Sequence, residues 1–136
     1  MLCTILWRGC KYPKEHIKTE YAFEKEGVVA DVWVESRRLA IEVETFYGTG
    51  IVPWRKLERT IEKYLELRTR YDVREVWIVM PPLQTVLYLG SLIYKLRELR
   101  ESGCDFIKLY TINFSKGEVM PIEEVFRRLR KLFQKV

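Results

Sequence analysis

The chain has 136 residues, 48% of them hydrophobic, which suits one domain with a real core and leaves too little chain for two. Lys and Arg outnumber Asp and Glu by 24 to 19, so the net charge of +5 permits a polyanionic partner without demanding one. The opening run MLCTILW is too short for a membrane span or a secretory core, and Cys3, Cys10 and Cys104 are too irregularly spaced for a disulfide framework, so we expect a reducing, cytoplasmic setting and no membrane partner.

Charged residues make up 32% of the chain and the side-chain amides are only Gln84, Asn113 and Gln134, a composition resembling that of thermophile proteins. Cys3, Cys10 and His16 are zinc-ligating residue types, but a fourth ligand is missing, and small buried thiols are the plainer assignment. No repeat or Pro/Gly-rich linker divides the sequence. Residues 1–136 therefore read as one domain, with an N-terminal segment of unassigned structure over about 1–15, a core over about 16–113 and a basic C-terminal helix over about 121–133.

From His16 onward the apolar residues alternate. Ile17, Tyr21 and Phe23, then Val28, Ala30, Val32 and Val34, then Leu39, Ile41 and Val43 predict three strands. The polar tetrads EKEG and ESRR between them are short enough for hairpins, which makes an antiparallel meander. After Gly48 and Gly50 the period changes: Pro53 suits a first helical turn, and Leu57, Ile61, Tyr64, Leu65 and Leu67 give an amphipathic helix up to about Tyr71. Val73 to Met80 is a β-branched run closed by Pro81 and Pro82, which reads as a buried strand. A second helix over about Thr85 to Ser102 stops at Gly103, Phe106 to Asn113 is a further strand, and Pro121 starts the last helix. In the order βββαβαβα, a strand, a helix of about five turns and a strand close only as a right-handed parallel crossover, so the fold class is α/β with a mixed sheet.

A turn centred between Ser36 and Arg37 pairs Asp31 with Glu42, whose Cβ atoms then lie ~5 Å apart. Glu44, two residues on, shares the face of Glu42. A turn centred between Lys25 and Glu26 adds Glu20 opposite Asp31. Val29, Trp33 and Ala40 lie on the same face, which is therefore partly covered, and close carboxylates there repel unless a cation sits between them. Hard oxygen ligands in this number suit Mg²⁺ or Mn²⁺ and phosphodiester hydrolysis. The plainer alternative is a solvated acidic face balanced by Arg and Lys from a neighbouring helix.

An Asp in VVADVWV, a polar hairpin, then AIEVET before a helix and a parallel strand resembles the core of the PD-(D/E)XK nuclease superfamily over about residues 16–82. The resemblance implies a restriction-endonuclease-like mixed sheet with helices on its faces, metal ligands Asp31 and Glu42, and the backbone carbonyl of Val43 as a further ligand. Glu44 stands where the family carries its lysine, and is implied as a ligand or a water-orienting base. The missing cation is then sought on the following helix, where Lys56 and Lys63 are candidates; Lys63 is preferred because TIEKY resembles the polar-x-x-x-Tyr motif of some relatives. Glu20 substitutes for the acid that the family usually carries before its first strand.

Arg55, Arg59 and Lys63 share one helical face at steps of four, a track for a phosphate backbone or a solvated face paired with Glu58, Glu62 and Glu66. Tyr47 and Trp54 beside the glycine loop are stacking or core residues, and FRRLRKLF combines an apolar stripe with four cations. Leu87, Leu89, Leu92, Ile93 and Leu96 are apolar enough to bury a second copy, so a homodimer is expected. The leading expectation is a Mg²⁺- or Mn²⁺-dependent DNA endonuclease, RNA remaining open as a substrate. Its rivals are a nuclease-fold DNA-binding module without chemistry, which the displaced lysine favours, and a protein-interaction domain.

Overall fold

The alternating segments are strands with the expected bounds. In the computed structural model, which describes residues 12–23, 28–44, 54–113 and 116–134, β1 (Ile17–Phe23), β2 (Val28–Val34) and β3 (Leu39–Val43) form an antiparallel meander. Residues Glu35–Arg37 make a tight 3-10 turn, and Arg38, with φ of 49°, reverses the chain before Leu39. The Arg38 guanidinium then donates to the carbonyls of Tyr71 and Asp72, tying this hairpin to the end of the next helix.

That helix, α1 (Trp54–Tyr71), leads to β4 (Glu75–Met80), which lies parallel to β3 with Ala40 beside Val76 and Glu42 beside Ile78. Helices α2 (Pro82–Leu87) and α3 (Leu89–Glu101) make a second crossover to β5 (Ile107–Asn113), again parallel. β6 (Glu118–Pro121) pairs antiparallel with β5, and α4 (Ile122–Gln134) follows. The six strands stand in chain order in one open mixed sheet, parallel at its centre.

Two cores flank this sheet, and the period-2 alternation assigns residues to them. Val76, Ile78 and Met80 of β4 pack with Leu57, Ile61, Tyr64 and Leu67 of α1 and with Leu92, Leu96 and Leu99 of α3. Each fully buried Leu or Ile contributes roughly 1.5–3 kcal/mol. Val32, Val34, Leu39, Ile41, Trp77, Val79 and Ile112 form the other core, with Tyr12, Ile17, Tyr110 and Val119 against it.

Three expectations are corrected. The helices are not shared between the faces: among the described residues, every helical side chain of the two cores lies in the first. Both crossovers step in the same direction along the sheet, and right-handedness then puts both on one side. Pro121 does not begin the last helix but ends β6, an edge strand where a missing N–H costs nothing, after a turn at Gly117 with φ of 61°. The second helix is two, joined at Tyr88, and it starts at Pro82 because proline is at ease in a first turn. No described helix is long and apolar enough to cross a membrane.

Candidate active site

Glu42 and Glu44 lie at the C-terminal end of β3. Alternation turns Glu42 to the helical side, between Ala40 and the level of Ile78, and α1 covers it. Both carboxylates are buried, Glu42 at 8% and Glu44 at 3% exposure, where an acid without partners is costly.

Their partners come from α1, which runs back antiparallel to β3. Four residues of helix rise about 6 Å, close to the ~6.7 Å between alternate strand residues, so two helical side chains one turn apart match two acids two residues apart. Tyr64 donates its hydroxyl to Glu42 Oε1 at 2.5 Å, and Thr60 donates to Glu44 Oε1 at 2.7 Å. The ammonium of Lys63 also reaches Glu42 Oε1, at 2.5 Å, and the carbonyl of Val29 at 2.7 Å. Lys56 sits 3.2 Å from Glu44 Oε2 as an ion pair without hydrogen-bond alignment, so among the described residues this buried oxygen has no hydrogen-bond donor.

Asp31 faces the same place from β2. The β2–β3 register, with Val32 opposite Ile41 and Trp33 opposite Ala40, continues to Asp31 and Glu42. Glu44 gives its N–H to Val79 of β4, so the N–H of Val43 is directed toward β2, where Asp31 Oδ2 accepts it at 2.8 Å. The carboxylate thus takes the place of a strand carbonyl at the end of the ladder. By the same strand geometry the Val43 carbonyl opens toward Asp31.

The described hydrogen bonds therefore hold one oxygen of each acid. Asp31 Oδ1, Glu42 Oε2 and Glu44 Oε2 receive none from the described residues. Burial raises the Glu42 carboxyl above its ordinary range; the hydrogen bonds from Lys63 and Tyr64 oppose this, and the charge of Asp31 adds to it. Burial and the charge of Glu42 push the Tyr64 phenol far upward, so it stays a proton donor. Among the described residues no three acid, histidine or cysteine side chains already converge as a metal cage.

Glu20 is exposed, has φ of 46°, and is absent from the β1–β2 ladder between the pairs Thr19–Val32 and Tyr21–Ala30. At this break the alternation inverts: Val32 belongs to the second core, whereas Ala30 and Tyr21 join the helical side. Arg55 and Arg59 are exposed on α1, but Lys63 is turned inward to Glu42 and leaves their track. Of their expected acidic partners, Glu58 pairs instead with Lys95. Tyr47, the Gly48–Gly50 loop, Pro53, the EKEG tetrad, Cys3, Cys10 and the side chain of Trp54 lie outside the described residues.

The sequence reading used TIEKY only to prefer Lys63 and gave Thr60 and Tyr64 no role toward the acids. The signal for those roles was that both hydroxyls of T-x-x-x-Y fall on the buried face of the helix that follows E-x-E. The chain matches no protein-family model, no curated protein and no solved structure.

Proposed function

We propose that this protein is a divalent-metal-dependent endonuclease of restriction-endonuclease-like architecture, acting on DNA in the cytoplasm. One observation carries the reading: three acids from two adjacent strands each have one oxygen fixed by protein donors and the other without a hydrogen bond from the described residues. Such donors fit Mg²⁺ or Mn²⁺, which keep several waters and need only one or two carboxylates. Asp31, Glu42 and the Val43 carbonyl are the ligands, and Glu44 is a further ligand or holds the attacking water. Bound there, the cation supplies positive charge to the scissile phosphate and acidity to water.

The remaining roles belong to the chain itself. Lys63 replaces the family's strand lysine from the helix, carrying the positive charge that Glu44 cannot, and is placed to stabilise charge developing on the phosphate. Thr60 and Tyr64 orient the two glutamates. Glu20 is a more distant acid, suited at most to an outer position, and Arg55 and Arg59 lead the DNA backbone toward the acids.

A second reading, a nuclease-fold binding module without chemistry, is favoured by Lys56 and Lys63, which neutralise Glu44 and Glu42 as the chain stands. Cleavage assays separate the two. Linear, circular, branched and single-stranded DNA, with RNA alongside, are incubated with Mn²⁺ and with EDTA, comparing wild type with Asp31→Ala and Glu42→Ala. The expected result is metal-dependent cutting of DNA that falls by at least about a hundredfold in each variant. Unchanged cutting in either variant refutes the site, and DNA binding without cutting establishes the second reading.

A further inference from the structure

β1 and β2 change faces together at one place. Ile17 of β1 packs with Val32 and Val34 of β2 in the second core, whereas Tyr21, Phe23 and Ala30 pack on the helical side, although alternate residues of a regular strand share a face. The register is the same on both sides of the break, with Thr19 opposite Val32 and Tyr21 opposite Ala30, so no residue is inserted. Both strands turn over at the pair missing from the ladder, Glu20 and Asp31. Glu20 supplies the turn: its φ of 46° lies in the left-handed region, which glycine adopts freely and a glutamate adopts only where its surroundings impose it. Tyr21, stacked on Trp33 at 5.5 Å, and Phe23, edge-on to the same ring, impose it here.

The turnover coincides with the end of backbone pairing between β2 and β3. That ladder runs from Val34 opposite Leu39 to Val32 opposite Ile41 and stops. Beyond it side chains take over: Asp31 Oδ2 accepts the N–H of Val43 at 2.8 Å, and Lys63 donates to the carbonyl of Val29 at 2.7 Å. A β2 that ran straight on would present a main-chain carbonyl to the same N–H, that of Ala30 in this register, and would leave the Asp31 carboxylate no part in the ladder. We propose that Glu20 is a positioning residue that acts through its backbone: its left-handed turn takes β2 out of the ladder and delivers the Asp31 carboxylate to the N–H of Val43. The consequence for catalysis rests on the metal site proposed above, whereas the geometric step stands without it. Breaks in strand pairing beside active sites commonly re-aim a side chain in this way.

Amide hydrogen exchange of the full chain in EDTA tests it. The Val43 N–H reports the Asp31 bond, Asp31→Ala is the reference for its loss, and the N–H of the buried Ile78 monitors global unfolding. Glu20→Gly, which relieves the left-handed backbone, should slow exchange at Val43 about threefold, and Glu20→Val, β-branched and least suited to positive φ, should speed it at least about tenfold beyond any change at Ile78. Glu20→Gln, which removes the charge alone, should leave Val43 as in wild type. Mn²⁺ affinity should follow the same order, with Glu20→Gly above Glu20→Val. Equal exchange at Val43 in the Gly and Val variants overturns the proposal. So does acceleration in Glu20→Gln as large as in Glu20→Val, which assigns the role to the carboxylate. Should Glu20→Val not fold, a Glu20→Gly variant without slowing overturns it alone. The expected exchange order in a chain that neither binds Mn²⁺ nor cuts DNA supports the positioning and overturns the metal reading instead.

Discussion

Replacing Tyr64 with Phe removes one oxygen and leaves the ring in its packing. That oxygen donates to Glu42 Oε1 at 2.5 Å inside the core, where Tyr64 is fully buried. A hydrogen bond to a buried charged group is worth about 1.5–3 kcal/mol, and one to a neutral group about 0.5–1.5 kcal/mol. Lys63 keeps its contact with the same oxygen, so the loss for ionised Glu42 should fall in the lower half of the first range, about 2 kcal/mol. The pH dependence has a definite sign. The Glu42 carboxyl is raised in the fold, so relative to the unfolded chain it favours folding when protonated and loses that contribution as pH rises through its folded value. Removing the phenol raises the carboxyl further, so of two pH values chosen below and above the folded value, the variant should be destabilised more at the higher, by about 2 against about 1 kcal/mol. Urea unfolding of both proteins at the two pH values, in EDTA, measures this. Equal destabilisation at both values, or none, would show that the phenol does not hold an ionised glutamate.

Three further outcomes are expected. Leu57→Ala, at a position with no exposure under the sheet, should cost about 2–5 kcal/mol in urea unfolding without altering the acids. Arg55→Glu with Arg59→Glu should weaken duplex binding uniformly across sequences and flatten the logarithmic salt dependence by about two phosphates, measured by fluorescence anisotropy. Glu124, held by Arg127 and Arg128 at about 2, should titrate below the other glutamates by carboxyl NMR; a depressed carboxyl supports the fold above its unfolded value and loses that support as pH falls through the folded one.

The alternation of β1, β2 and β3 and the switch to a helical period were legible because each side chain's fate followed from its local period. The pairing of Asp31 with Glu42 was legible for a related reason, since a four-residue loop leaves one register that buries both Val32 and Ile41. β6 was not legible: EVMP is four residues long, and its proline reads equally as a helix start. Nor was the break at Glu20, which requires a left-handed backbone at a residue with no special tolerance for it.

Local sequence therefore determined the order of strands and helices, the register of the first hairpins and the convergence of two acids on one strand. The tertiary structure decided which side chains answer those acids. Lys56, Arg59 and Lys63 are similar cations on one flank of α1, and the rotation of that helix over β3 turns Lys63 inward to Glu42, sets the exposed Lys56 beside Glu44 and leaves Arg59 exposed without either acid. Hydroxyls at positions 60 and 64 look like ordinary core-facing residues until the antiparallel crossing of helix and strand sets one turn of α1 against two residues of β3. Such a match depends on the axial offset between two elements, which no local pattern encodes.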